Sequence, residues 1–285
     1  MMKIGVDLGG TNIRAGLIHD QKVVEIKKIN LKNKHGLEST LKQLTQLIES
    51  IYNPEVCGIG IGVPSVVDRE QGIVFDVVNI PSWKEVHLKD ILEKEFDVPV
   101  FINNDSNCFV LGEKYFGAGK NHNNIVGITI GTGLGGGIIL NGTLFNGVNC
   151  GAGEIGYLPF KDKDLEYYCS SNFFEKIHQT TAYDTFLKAE KNDADALKLW
   201  DQFGHNMGIA LKSVMYAYDP EIIILGGSIS AAYPYFKEKM YESLNTSYFP
   251  KSVDKLKICL SEIENASMLG AAALVIQQHE TPVQH

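Results

Sequence analysis

The sequence is short of cysteine, of tryptophan and of positive charge, and it has no long apolar run. Five cysteines, Cys57, Cys108, Cys150, Cys169 and Cys259, are scattered through 285 residues without a C-x-x-C pair. That excludes a zinc ribbon or a thioredoxin-type redox site. The odd count, and an N-terminus that opens on the strand-like KIGVDLG and not on a signal peptide, fit a reducing cytoplasm. No apolar stretch approaches the ~20 residues of a membrane-spanning helix. With 26 Lys and Arg against 34 Asp and Glu the net charge is −8, the opposite of the basic stripe that a nucleic-acid binder needs. No G-x-x-x-x-G-K-[ST] occurs, which excludes a P-loop. The eight histidines show no ligand spacing.

What is present is an ordinary globular composition, 44% hydrophobic and 21% charged, in a chain long enough for two modest domains or one large one. Strand and helix signals alternate, which predicts an α/β fold. Lys3–Asp7 and Ile13–Ile18 read as strands around a Gly-Gly turn, with Lys22–Asn30 as a third. Leu37–Tyr52 has helical apolar spacing, and Val56–Val63 is strand-like. "VHLKDILEKEF" predicts a helix and "VPVFI" the strand after it. Beyond "NNIVGITIGTGLGGGIIL", Asn141-Gly142 marks a hairpin turn. Helical pattern runs from Phe173 to about Tyr218, "EIIILGG" is a buried strand, and Ala266–Gln277 a closing helix. The expected division is 1–120 and 121–267, with a helix over about 268–285 packing back on the first domain.

Three stretches carry chemistry. In "DLGGTN", Gly9 and Gly10 permit a tight turn whose N–H groups converge on an anion, with Thr11, Asn12 and Arg14 as further donors. Asp7 at the strand end suits a hydrated Mg²⁺ beside phosphates. "GTGLGGG" repeats the layout of strand, glycine turn and strand with Gly131, Thr132 and Gly133. Its formal G-x-G-x-x-G is no dinucleotide fingerprint, because a strand and not a helix follows. "ILGGS" adds Gly226 and Gly227 at a later strand end. Third, "INNDSN" sets Asp105 among small amides where a strand hands over to a helix. Helix capping alone accounts for such residues there; two matched glycine turns in the same chain, with "ILGGS" after a later strand, favour a nucleotide cleft.

Together these segments resemble the ROK family (repressors, open reading frames, kinases), within it the bacterial sugar kinases of glucokinase type. "IGVDLGGTNIRAGLI" is similar to the first phosphate motif, "FINNDSNCFVLGE" to the catalytic stretch, "GTGLGGGIILNGTLFNGVNCGAGEIGY" to the second phosphate motif with its sugar-binding sequel, and "DPEIIILGGSIS" to the nucleoside-side motif. The resemblance implies an actin-like, ribonuclease-H-like fold of two α/β domains around a cleft, ATP and Mg²⁺ as cofactors, and a homodimer. It makes Asp105 the catalytic base, and places Asn104, Asp105, Glu154 and Glu166 on the sugar. Glucose 6-OH is the default acceptor, with fructose, mannose or an N-acetylhexosamine as alternatives, or a sugar sensor of weak activity.

The chain departs from the pattern at one point. Relatives carry a His in "GEIGH" and a cysteine-rich run that holds a structural zinc, whereas this chain has Tyr157 followed by "LPFKDKDL". No zinc is therefore expected, and Tyr157 is either a sugar contact or packing in place of the missing loop. Family repressors carry a helix-turn-helix domain ahead of the kinase-like part. Asp7 lies too near the start to leave room for one, which, with the acidic balance, favours the kinase.

Overall fold

The computed structural model describes residues 1–77 and 79–280. The chain divides into two compact units, Met1–Asn121, Leu144–Ala152 and Glu262 onward in the first, His122–Thr143 and Gly153–Ser261 in the second. The segment Leu144–Ala152 falls within the sequence-derived span 121–267 and yet packs with the first unit, where Cys150 joins the core. The later boundary lies at Ser261, six residues before the sequence-derived one, because β-strand pairing ends there.

In the first unit β1 (Met2–Leu8), β2 (Asn12–His19) and β3 (Lys22–Asn30) form an antiparallel meander. After α1 (Leu37–Glu49), β4 (Val56–Val63) joins β1 in parallel. A small antiparallel sheet of β5 (Val66–Asp68), β6 (Ile73–Phe75) and β7 (Glu85–His87) leads into α2 (Leu88–Phe96). Then β8 (Val100–Asn104) pairs in parallel with β4 and passes directly into α3 (Asp105–Phe116), giving the order β3-β2-β1-β4-β8.

The two-residue period of β4 explains its layering. Ile59, Ile61 and Val63 enter a core shared with Leu44, Ile48 and Trp83, while Gly58, Gly60 and Gly62 line the other face. There the closing helix Ala266–Glu280 lies so near that a Cβ on Gly60 would overlap the Ala271 carbonyl. The same helix presses Gly270 against the Cys108 carbonyl of α3. Glycine is thus the residue that lets helix and sheet backbones touch, and it sets the height of α3 above the sheet. Residues 281–285 of the expected C-terminal helix lie outside the described residues.

The second unit is built around β9 (Ile125–Ile130) and β10 (Leu134–Leu140), antiparallel, with β11 (Thr143–Leu144) beyond the turn Asn141-Gly142. Both turn residues have positive φ, 52° and 79°, as a two-residue hairpin demands. A short hairpin, β12 (Pro159–Phe160) and β13 (Lys163–Asp164), runs into α4 (Leu165–Cys169). The helical stretch expected from 173 to 218 is divided into a π-turn at Phe173–Ile177, α5 (Ala182–Ala189) and α6 (Ala194–Tyr218). Thr181 and Asp193 supply the breaks, each capping a new helix with its side chain. Strand β14 (Ile222–Gly226) lies parallel between β9 and the later β15 (Lys257–Leu260), after α7 (Tyr233–Leu244) and α8 (Pro250–Lys255). The order is β11-β10-β9-β14-β15, and the closing helix is α9. Phe174, Trp200, Phe203 and Phe236 form the aromatic centre of this core. No helix among the described residues is long and apolar enough to cross a membrane.

Candidate functional site

In the first unit the ends of three adjacent strands bring the predicted residues together. Asp7 on β1 is in register with Gly62 on β4, which is in register with Asn103 on β8. A Cβ on Gly62 would lie 3.6 Å from the Asp105 Cα and 3.1 Å from Cys108 Sγ. Asp105 is the first residue of α3, and its Oδ1 accepts the Ser106 N–H at 2.8 Å. The cap itself is Asn104, whose Oδ1 accepts the same N–H at 2.9 Å and whose Nδ2 donates to the Ser65 carbonyl at 3.3 Å. Asn104 therefore has structural work for both ends of its amide, and Asp105 is placed rather than consumed by capping.

Arg14 sits directly across from Asp7 and pairs with it at 3.5 Å. Burial raises the Asp7 pKa in spite of this partner. Burial, Asp105 and Asp7 together push the Cys108 thiol well up, keeping it neutral. In the first glycine turn the Gly9 N–H donates to the Asn12 carbonyl at 2.9 Å, and Leu31 N–H holds the Thr11 carbonyl at 2.9 Å. Gly10 packs against Asn79, where a Cβ would collide with that side chain.

Three asparagines to which the sequence assigned no role hold this corner. Buried Asn103 accepts from Asn104 N–H at 2.8 Å and from Asn107 Nδ2 at 2.9 Å, and its own Nδ2 donates to Asn146 Oδ1 at 2.8 Å. Asn107 Oδ1 is buried without a partner. The i,i+4 spacing of Asn103 and Asn107 was the available signal; Asn146, brought in by the Leu144–Ala152 segment, had none.

In the second unit the glycine turn after β9 closes through Gly131 N–H to the Gly133 carbonyl at 3.0 Å. Gly226 is in register with Thr129, and Gly227, at φ 88°, lies so close to Ile130 that a side chain would strike its backbone. Gly131–Gly133 and Gly226–Gly227 thus share one end of the sheet. Glu166 on α4 accepts the Leu134 N–H at 3.0 Å, and a Cβ on Gly133 would lie 2.5 Å from its Oε2. A 3₁₀ turn, Ile155–Tyr157, follows Glu154. Burial and then the Glu166 carboxylate raise the Glu154 pKa. The Tyr157 hydroxyl is raised first by Glu166, then by burial and by Glu154 and Asp164. Glu154, Tyr157 and Glu166 therefore share one neighbourhood. Tyr157 is 66% exposed, so it does not fill core space within its unit. Among the described residues no group of three His, Cys, Asp or Glu side chains is arranged to hold a metal ion.

A family model described as the ROK family matches residues 3–278. The chain belongs to the ROK family. The chain is 32% identical to a glucokinase of Thermotoga maritima over 95% of this chain and 96% of that one. It is equally 32% identical to a xylose repressor of Bacillus spizizenii, over 96% of this chain and 77% of that one. A ROK family glucokinase from Streptomyces griseus, solved with glucose and AMPPNP, superimposes with a TM-score of 0.83 at 24% identity, covering 97% of this chain and all of that one. The ROK chain thus has the actin-like ATPase fold in its α/β units.

Proposed function

We propose that this ROK protein transfers the γ-phosphoryl group of ATP to a hexose hydroxyl, with the 6-OH of glucose as the default acceptor. The observation that carries the reading is Asp105: a carboxylate at the first position of α3 that accepts the Ser106 N–H and, like Asp7, lies near enough to Cys108 to act on its thiol. A sugar hydroxyl is a weak nucleophile until such a positioned base takes its proton during attack. Rigid strand ends serve this role better than loops, since small misplacements cost large factors in rate.

Asn104, Glu154, Tyr157 and Glu166 would bind the sugar, their amide, carboxylates and phenol offering hydrogen bonds to its hydroxyls. Because Gly9 and Gly131 N–H groups close their own turns, the phosphate donors would be Gly10, Thr11 and Asn12 in one turn and Thr132 and Gly133 in the other. Gly226 and Gly227 would admit the nucleoside side. Arg14 would act on phosphate charge through its pairing with Asp7. Asp7 fits a water-mediated Mg²⁺, since among the described residues its half-buried carboxylate has the half-exposed Arg14 as its one ion-pair partner. Mg²⁺ there supplies neutralisation of phosphate charge when bound. The T. maritima glucokinase, matched over 96% of its length where the equally identical repressor is matched over 77%, supports the reading. It extends to a cytoplasmic homodimer that uses no zinc.

The xylose repressor relative favours a second reading, sugar binding without turnover. A coupled ADP-release assay with Mg-ATP across glucose, mannose, fructose, N-acetylhexosamines and xylose separates the two. Turnover with a hexose supports the kinase; calorimetric sugar binding without ADP release supports the sensor.

A further inference from the structure

We propose that Lys161 is a positioning residue that pins the β12–β13 hairpin and α4 to α6, and thereby holds Glu166 against the second glycine turn. Lys161 sits at the tip of the hairpin with a positive φ of 54°. Its ammonium lies 4.3 Å from the Tyr168 ring centroid and 4.9 Å from that of Phe160, within range of a cation–π contact with both. It also donates to Asn206 Oδ1 at 3.0 Å. Asn206 is buried in the middle of α6, and its Nδ2 donates to the Tyr168 carbonyl of α4 at 3.4 Å. The Tyr168 hydroxyl in turn bonds the Asp162 carboxylate beside Lys161. One cation therefore joins hairpin, short helix and long helix.

The need for a pin follows from length. Five residues of α4 close too few internal hydrogen bonds to hold a helix by themselves. Yet α4 and the residues after it support the turn Gly131–Leu134 at two points. Glu166 Oε2 accepts the Leu134 N–H, and the Ser171 N–H donates to the Gly131 carbonyl at 2.8 Å. The long α6, anchored in the aromatic core through Trp200 and Phe203, is the rigid body to which Lys161 fastens this support. An anchored Lys161 thus keeps Glu166 in a fixed place for the sugar and keeps the turn in shape for phosphate.

The catalytic arm of the test rests on the kinase reading; the exchange arm does not. Lys161→Met keeps the aliphatic stem and removes the charge, and Lys161→Arg keeps the cation. Hydrogen exchange of the Leu134 and Ser171 amides is expected to rise about tenfold in K161M and to stay near wild type in K161R, the scale of a lost charged hydrogen bond with its ring contacts. Amides of β9 and β14 are expected to keep their protection. The sugar KM should rise about tenfold in K161M with kcat within about twofold, and recover in K161R. Unchanged exchange at Leu134 and Ser171 with an unchanged KM, even beside a lower melting temperature, would overturn the proposal and leave Lys161 a plain surface contact. If the wild-type chain turns over no sugar, the kinase reading fails while the exchange result still decides the role of Lys161.

Discussion

At the scale of single residues the question is how a carboxylate is kept ready in a crowded corner, and the answer lies in the amides around it. Asn103, Asn107 and Asn146 fix the strand end from one side, and Asn104 caps α3 from the other. Asn103→Ala would leave the buried Asn107 amide and Asn146 Oδ1 without their partner, at about 1–3 kcal/mol for such a group. Urea unfolding should show that loss, together with a drop in turnover, because the Asp105 backbone loses its brace. A second residue-scale prediction concerns Glu154. Its folded pKa is raised, so the native state keeps a proton that the unfolded chain has released. The stability it contributes is present below the ordinary glutamate range and is lost as pH rises through the raised value. In Glu166→Gln the carboxyl resonance of Glu154 should titrate lower than in wild type, yet stay above the ordinary value, since burial remains. A Glu154 curve identical in both proteins would mean the two carboxylates do not interact.

Secondary-structure elements were legible where one period dominated. The strands around both glycine turns, α1, and the passage from β8 to α3 follow from apolar spacing and from Gly, Asn and Asp at their ends. The fingerprint-like G-x-G-x-x-G does run on into strand β10, as its Ile-Ile-Leu tail implied. Three things were not legible. The cap fell on Asn104 and not on Asp105, a one-residue choice that depends on the φ and ψ of the strand end. The hairpin β12–β13 has two residues per strand, too few for alternation to register. The bond from Leu134 to Glu166 spans 32 residues, a distance at which spacing carries no information. Helix α9 offers the element-scale prediction. Gly270→Ala places a Cβ against the Cys108 carbonyl, so α9 and α3 must separate, at about 1–3 kcal/mol for overpacking. Melting temperature and kcat should both fall, since α3 carries Asp105; a fall in stability with kcat intact would show that α3 holds its place without α9.

For the whole molecule, two large cores stand out among the described residues, beside a small cluster of Ile18, Met268, Leu269 and Ala272. One is aliphatic around β1, β4 and β8 with a single buried tryptophan, Trp83; the other is aromatic around α6. Length allowed two modest domains or one large one, and the resemblance implied two; their membership was not legible, because the Leu144–Ala152 segment is assigned by packing, not by its neighbours in sequence. Phe203 touches Phe173, Phe174, Trp200 and Phe236 in the second core. Phe203→Ala should cost about 3–5 kcal/mol, with hydrogen exchange accelerating in β9 and β14 and little changed in β1 and β4. Uniform loss of protection in both units would show that they unfold as one.

The central claim is that Asp105 takes the proton from a sugar hydroxyl. Its most direct test is ADP release with Mg-ATP and the best hexose of the panel, compared between wild type and Asp105→Asn. The near-isosteric amide should preserve folding and sugar affinity while turnover falls by about 10²–10⁴-fold, the range of a lost general base. Turnover in the variant within a few-fold of wild type would contradict the account, and would return Asp105 to a residue at the head of a helix.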